Sequence, residues 1–190
     1  MDLNQKIVTS LERISQAFRV LLWSECRKHG LSPIQIQILI FLLNHSKEKR
    51  KISYLAVEFD MTKATISDSV KVLFQKSLVE KEFETNDSRS YTIHLTPEGE
   101  KTAKQTSSFV EELEKAIDKM SGGEKENLLL NLLGIIESLN HSGVISIQRM
   151  CFSCSNYSPG YNANPHFCKL LNKPLKDFEL QVDCPEFEMK

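Results

Sequence analysis

Four cysteines stand in the last 40 residues of the 190-residue chain, at Cys151, Cys154, Cys168 and Cys184; the fifth, Cys26, is far from them. Cys151-Phe152-Ser153-Cys154 is a C-x-x-C pair, thirteen residues precede Cys168, and fifteen more precede Cys184. A C-x-x-C turn brings two thiolates to one centre without strain, and two later cysteines complete a four-sulfur site. The first residues, Met1-Asp2-Leu3-Asn4-Gln5-Lys6, lack the charged-then-apolar pattern of a signal peptide, so the expected compartment is the cytoplasm. There thiols stay reduced, and such a cluster reads as ligands before disulfides. Zinc is the expectation, because a metal would fold a tail too poor in apolar residues to fold alone. A [4Fe–4S] cluster is the alternative. It is favoured by the single C-x-x-C, by Pro185 after the last cysteine, and by Phe152, Tyr157, Phe167 and Phe187 as shielding rings. His166 is a further, weaker donor.

Composition sets the rest of the frame. Hydrophobic residues make up 41% and charged residues 26%, the balance of an ordinary globular protein. No stretch approaches the roughly 18 consecutive apolar residues of a membrane span, so no membrane partner is expected. Net charge is −1, and residues 1–150 hold 20 Lys+Arg against 20 Asp+Glu. Affinity for a polyanion must therefore come from local arrangement. No nucleophile–base pair, phosphate loop or open metal site with a general base is visible, and the chain is not expected to be an enzyme.

The elements that would position chemistry follow from periodicity. Apolar residues three to four apart (Leu3, Ile7, Leu11, Ile14, Phe18, Leu21) predict one long amphipathic helix over 3–29, ended by Gly30. Ser32-Pro33 opens a second helix, apolar nearly all round from Ile34 to Leu43 and hence buried. After a basic connector, Ser53 is expected to cap a short third helix. Thr62 is expected to cap a fourth, from Lys63 to about Ser77, with Ile66, Val70, Leu73 and Phe74 inward. Two helices joined by a short turn, the second polar outside, make a helix-turn-helix. Leu78–Glu84 and Tyr91–Leu95 alternate as strands around a turn at Asn86–Ser90, which predicts a hairpin. Thr96-Pro97-Glu98 begins a helix to about Met120, and Ser121 with Glu124 forms the capping box of a last one, ended by Gly143. Composition shifts near residue 146, so the expected domains are 1–145 and a cysteine module over 146–190.

A helix that enters the DNA major groove needs an apolar side to dock on its domain and short polar or cationic groups outside. Here the outer residues are Thr62, Lys63, Ala64, Thr65, Ser67, Asp68 and Lys71; Ser88 and Arg89 would contact DNA from the hairpin, Arg89 in the narrow minor groove.

The string NDSRSYTIHLTPEG resembles the wing of the MarR family, whose Asp-x-Arg turn precedes a strand and a Leu-Thr-x-x-Gly helix start. These are Asp87, Arg89, Leu95, Thr96 and Gly99. TKATISDSVKVLFQKSLVEK resembles the family's recognition helix, and the likeness spans roughly residues 5–141. Asp68, where relatives are often basic, and Ser77, where they carry Gly, depart from the pattern. The cysteine string, CFSCSNYS to DCPEFE, is similar to small four-cysteine cluster-binding modules.

The resemblance implies a mainly α winged helix-turn-helix with a small β-wing, in which the first and last helices of two chains intertwine. It implies a sequence-specific regulator, a repressor by default, that binds a near-palindromic duplex as a homodimer. Asp87 would hold the wing by a charge-assisted hydrogen bond. A small-molecule effector in a cleft beside the dimer helices is a further implied partner. The reading from another class is a winged-helix protein-interaction module with a structural zinc site, since five basic and five acidic residues cancel over 61–91.

Overall fold

A computed structural model describes residues 1–84, 87–145, 149–160 and 165–190, with 84 and 87–90 as backbone only. The chain packs as two compact units, Met1–Lys115 and Ala116–Lys190.

The first unit begins with α1 (Leu3–His29), capped by Asp2 and ended at Gly30, whose φ of 61° places it in the left-handed region. Helix α2 (Pro33–Asn44) starts with the expected cap: Ser32 accepts from the Gln35 amide at 3.4 Å, and Gln35 accepts from the Ser32 amide at 2.9 Å. Its Ile36, Ile38, Leu39, Phe41 and Leu42 are buried and form the centre of the core. Helices α3 (Ile52–Glu58) and α4 (Lys63–Gln75) pack on it, followed by strands β1 (Val79–Glu84) and β2 (Asp87–Leu95) and helix α5 (Pro97–Ser107).

Several expectations shift by a turn or less. Helix α3 is capped not by Ser53 but by the backbone of Lys51, two residues earlier. Lys51 is extended and precedes the helix, and beside it the Ile93 amide of the hairpin donates to the Arg50 carbonyl at 2.9 Å. Phe74, expected inside, is 50% exposed, because the buried stripe of α4 runs through Ile66, Ser69, Val70 and Leu73. The turn expected over Asn86–Ser90 is narrower, since β2 begins at Asp87 and pairs Asp87 with Glu84. Asn86 itself lies outside the described residues.

The helix expected from Pro97 to Met120 is broken. It ends at Ser107, passes through a tight turn over Ser108–Val110, and resumes as α6 (Glu111–Ile117). Thr106, Ser107 and Ser108 turn their hydroxyls back onto the carbonyls of Thr102, Lys104 and Gln105 at 2.8–2.9 Å. Such bonds compete with the regular ladder.

One junction ties the helix-turn-helix to the hairpin. Ser77 takes the left-handed conformation, φ 56°, and its carbonyl accepts from the Thr96 hydroxyl at 2.7 Å. The same hydroxyl accepts from the Gly99 amide at 3.0 Å, which caps α5. A Cβ on Gly99 would stand 1.8 Å from the Leu78 carbonyl oxygen, so only glycine lets α5 pass this close.

The second unit holds α7 (Gly122–His141), opened by the expected capping box of Ser121 and Glu124, and a three-stranded antiparallel sheet of β3 (Tyr157–Pro159), β4 (His166–Cys168) and β5 (Lys173–Leu175). Its core joins Leu133 of α7 to Met150, Leu175 and Leu180. Packing thus divides the chain at Lys115/Ala116, whereas composition divides it at 145/146.

Replacing Gly99 by Ala forces the start of α5 off the Leu78 carbonyl. Gly99→Ala is expected to destabilise the first unit by about 2–3 kcal/mol, read as a lower urea midpoint for the full chain; an unchanged midpoint would show that the junction yields freely.

Candidate DNA-binding face and four-cysteine centre

Helix α4 presents its N-terminal half outward. Thr62 is the cap, accepting from the Thr65 amide at 3.1 Å, and the two threonine hydroxyls lie 2.9 Å apart. The turn before it is set by Asp60, φ 50°, and by the Met61 amide donating to the Ala56 carbonyl at 2.9 Å. Thr62, Lys63, Ala64, Thr65, Ser67, Asp68 and Lys71 are all exposed, as a face that meets another molecule requires. On the opposite side Ile66, Val70 and Leu73 are buried, and the Ser69 hydroxyl closes on the Thr65 carbonyl at 2.9 Å. Asp68 and Lys71 form no ion pair with each other among the described residues, so both charges face solvent.

The hairpin stands beside this helix. Lys81 of β1 lies over the ring of Tyr91, 4.6 Å from its centroid, and 5.5 Å from that of Phe74 on α4. Such contacts fix the strand against the helix through cation–π attraction. Glu82 accepts from Lys47 at 2.7 Å and lies 2.9 Å from His94, and the Lys47 hydrogen bond holds its carboxyl below the ordinary carboxylate range. Asp87, Ser88 and Arg89 belong to the backbone of β2; their side chains lie outside the described residues.

The structure brings all four C-terminal cysteines to one cavity of about 60 Å³. Cys151 and Cys154 flank a tight turn over Cys151–Ser153, Cys168 ends β4, and Cys184 follows the bridge between Arg149 and Asp183. Buried Arg149 is ion-paired with Asp183, and the Cys184 amide donates to the Arg149 carbonyl at 2.8 Å. The Gln181 amide donates to the Cys151 sulfur at 3.2 Å, while the Cys151 amide returns to the Gln181 carbonyl at 3.1 Å. Burial, followed by the negative charge of neighbouring cysteines, raises the thiol pKa of Cys151 and Cys184; backbone donors work against it.

Tyr157, Leu170, Leu171 and Leu175 also line the cavity, together with Asn156 and Glu186. Among the described residues, no three His, Cys, Asp or Glu side chains converge at the spacing of a site for one metal ion. His166 faces away from ligation: its Nδ1 lies 2.7 Å from the Tyr157 hydroxyl and its Nε2 3.3 Å from Asp177. Tyr157 is pushed up to about 12, chiefly by burial. Sequence spacing did not single out Asn156, Gln181 or Arg149, because polar residues that serve a centre through one amide or one carboxylate leave no periodic trace. Cys26 is 4% exposed, as expected for a structural cysteine, and burial raises its pKa.

Helix, buried helix, helix-turn-helix, hairpin and capped helix, in this order and packing, make the first unit a winged helix-turn-helix. A model of the MarR family matches residues 29–90. Among solved structures, the chain is similar to S. aureus MepR in complex with DNA, with a TM-score of 0.60 and 22% identity over 70% of this chain and 97% of that one. MepR in its DNA-binding conformation also gives 0.60 and 22%, covering 70% and 98%. A MarR transcriptional regulator from Methanosarcina mazei Go1 gives 0.59 at 16% identity, covering 70% and 96%. At these identities the likeness establishes the fold. No curated protein matches the chain. Among the described residues no helix is long and apolar enough to cross a membrane.

Leu133 is 1% exposed where α7 meets the cysteine segment. Leu133→Ala is expected to cost about 2–5 kcal/mol within the second unit. Hydrogen exchange should quicken across β4 and β5 as well as α7, while α2 keeps its protection; quickening confined to α7 would disprove a shared core.

Proposed function

We propose that this protein is a MarR-type transcription regulator that binds duplex DNA as a homodimer. The observation that carries the reading is the exposed polar half of α4. Two lysines, two threonines and a serine stand on a helix docked by Ile66, Val70 and Leu73, beside a hairpin, in a winged helix. The start of such a helix suits the major groove. Its short hydroxyls reach base edges and its lysines reach phosphates. Arg89 and Ser88 serve the neighbouring minor groove from the wing, with Asp87 holding the wing.

Exposed apolar residues along α1 support the dimer. Leu3, Ile7, Ile14, Phe18 and Trp23 are each more than 40% exposed, and a second copy would cover them. Two recognition helices related by a twofold axis read a near-palindromic site, and occupancy of that site near a promoter represses. The second unit adds a metal centre held by Cys151, Cys154, Cys168 and Cys184. The shared family fold with a regulator of the S. aureus multidrug efflux pump MepA makes a small-molecule effector the partner to seek.

Selection of duplex fragments from a random pool, followed by titration at rising salt, tests the reading. Affinity should fall steeply with salt, and Lys63→Ala and Lys71→Ala should each reduce the slope of log K against log salt by about 1. No enrichment of any duplex, or binding indifferent to salt, sinks it and leaves a winged-helix protein-interaction module.

A further inference from the structure

We propose that the four-cysteine cavity takes an iron–sulfur cluster of the [4Fe–4S] kind rather than a single zinc ion. This rests on the reading of these cysteines as a metal centre and says which one. Zn–S bonds are about 2.3 Å long, so four sulfurs on one zinc lie in van der Waals contact and leave no space between them. Here Cys151, Cys154, Cys168 and Cys184 ring a cavity of about 60 Å³, several times the room that one water molecule needs. A cubane of four irons and four sulfides is a body that fills such a space while reaching a cysteine at each corner.

Tyr157, Leu170, Leu171 and Leu175 give the cavity hydrocarbon sides, and such a lining keeps water from a cluster whose sulfides are readily lost to solvent. Leu170 and Leu171 are 50% and 59% exposed, so the tip between β4 and β5 spends two large apolar residues beside the cysteines rather than in the core. A zinc closed by four thiolates has no sulfide to lose and gains less from that cover.

Asn156 lines the cavity, and its buried Nδ2 has no hydrogen-bond partner among the described residues. Buried donors without partners are rare and costly. A bridging sulfide or a thiolate is the acceptor that this amide lacks. The Gln181 amide already makes the same kind of bond to the Cys151 sulfur at 3.2 Å. Hydrogen bonds to cluster sulfurs are among the determinants of cluster potential. On binding, four S–H bonds give way to four Fe–S bonds, and four protons pass to solvent.

The test is the metal and acid-labile sulfide content of the full chain purified without oxygen, with its visible absorption spectrum. The inference expects about four irons and four sulfides per chain, with the broad visible absorption of thiolate-bound iron sulfide. Cys168→Ala should lose both, and Cys26→Ala should keep both. One zinc and no sulfide per chain overturns the inference and leaves the metal-centre reading standing. Neither metal overturns both. Iron and sulfide retained in Cys168→Ala overturns the ligand assignment. Duplex binding by the same preparation is scored separately, so failure of the regulator reading is not confused with failure of the cluster.

Discussion

One hydroxyl joins three elements of the first unit. Thr96 donates to the carbonyl of Ser77 and accepts from the amide of Gly99. Ser77 ends the turn after α4, Thr96 follows β2, and Gly99 lies in the first turn of α5. Three elements are thereby held to one atom, and the missing side chain of Gly99 sets how close they come. The angle between α4 and the hairpin follows from that junction, and so does the placing of any group that α4 presents. Lys81, lying between the rings of Phe74 and Tyr91, braces the same angle from the other side.

In the second unit the corresponding constraint is a small core with few members. Leu133, Met150, Leu175 and Leu180 are buried, and the strands around them are three residues long. So little apolar area leaves a fold of this size marginal, and a bound centre can supply what the core does not. Backbone hydrogen bonds already fix the positions of Cys151, Cys154 and Cys184.

Much of the fold was legible because its signals are local. Ser32, Thr62, Thr96 and Ser121 each cap the helix that sequence assigned to them, and the run from Ile36 to Leu42 is the buried centre. What escaped depends on contacts distant in sequence. Lys51 rather than Ser53 is the N-cap of α3, next to Arg50, whose carbonyl accepts from the distant Ile93 amide. The break after Ser107 comes from three hydroxyls competing with the ladder, a choice that periodicity cannot see. Phe74 fitted the apolar stripe by spacing, but Ser69 took the inward place. At the candidate site, the outer residues of α4 were readable as a polar face. The four cysteines were readable by spacing, whereas the space between them, and the idle amide of Asn156 beside it, arise only when the chain folds.

Because Leu133 shares its core with Met150 and Leu180, the cysteine segment has no surface of its own along which it could be cut from α7. A gene fusion that carried only the cysteines to another regulator would deliver a fragment without its inner wall.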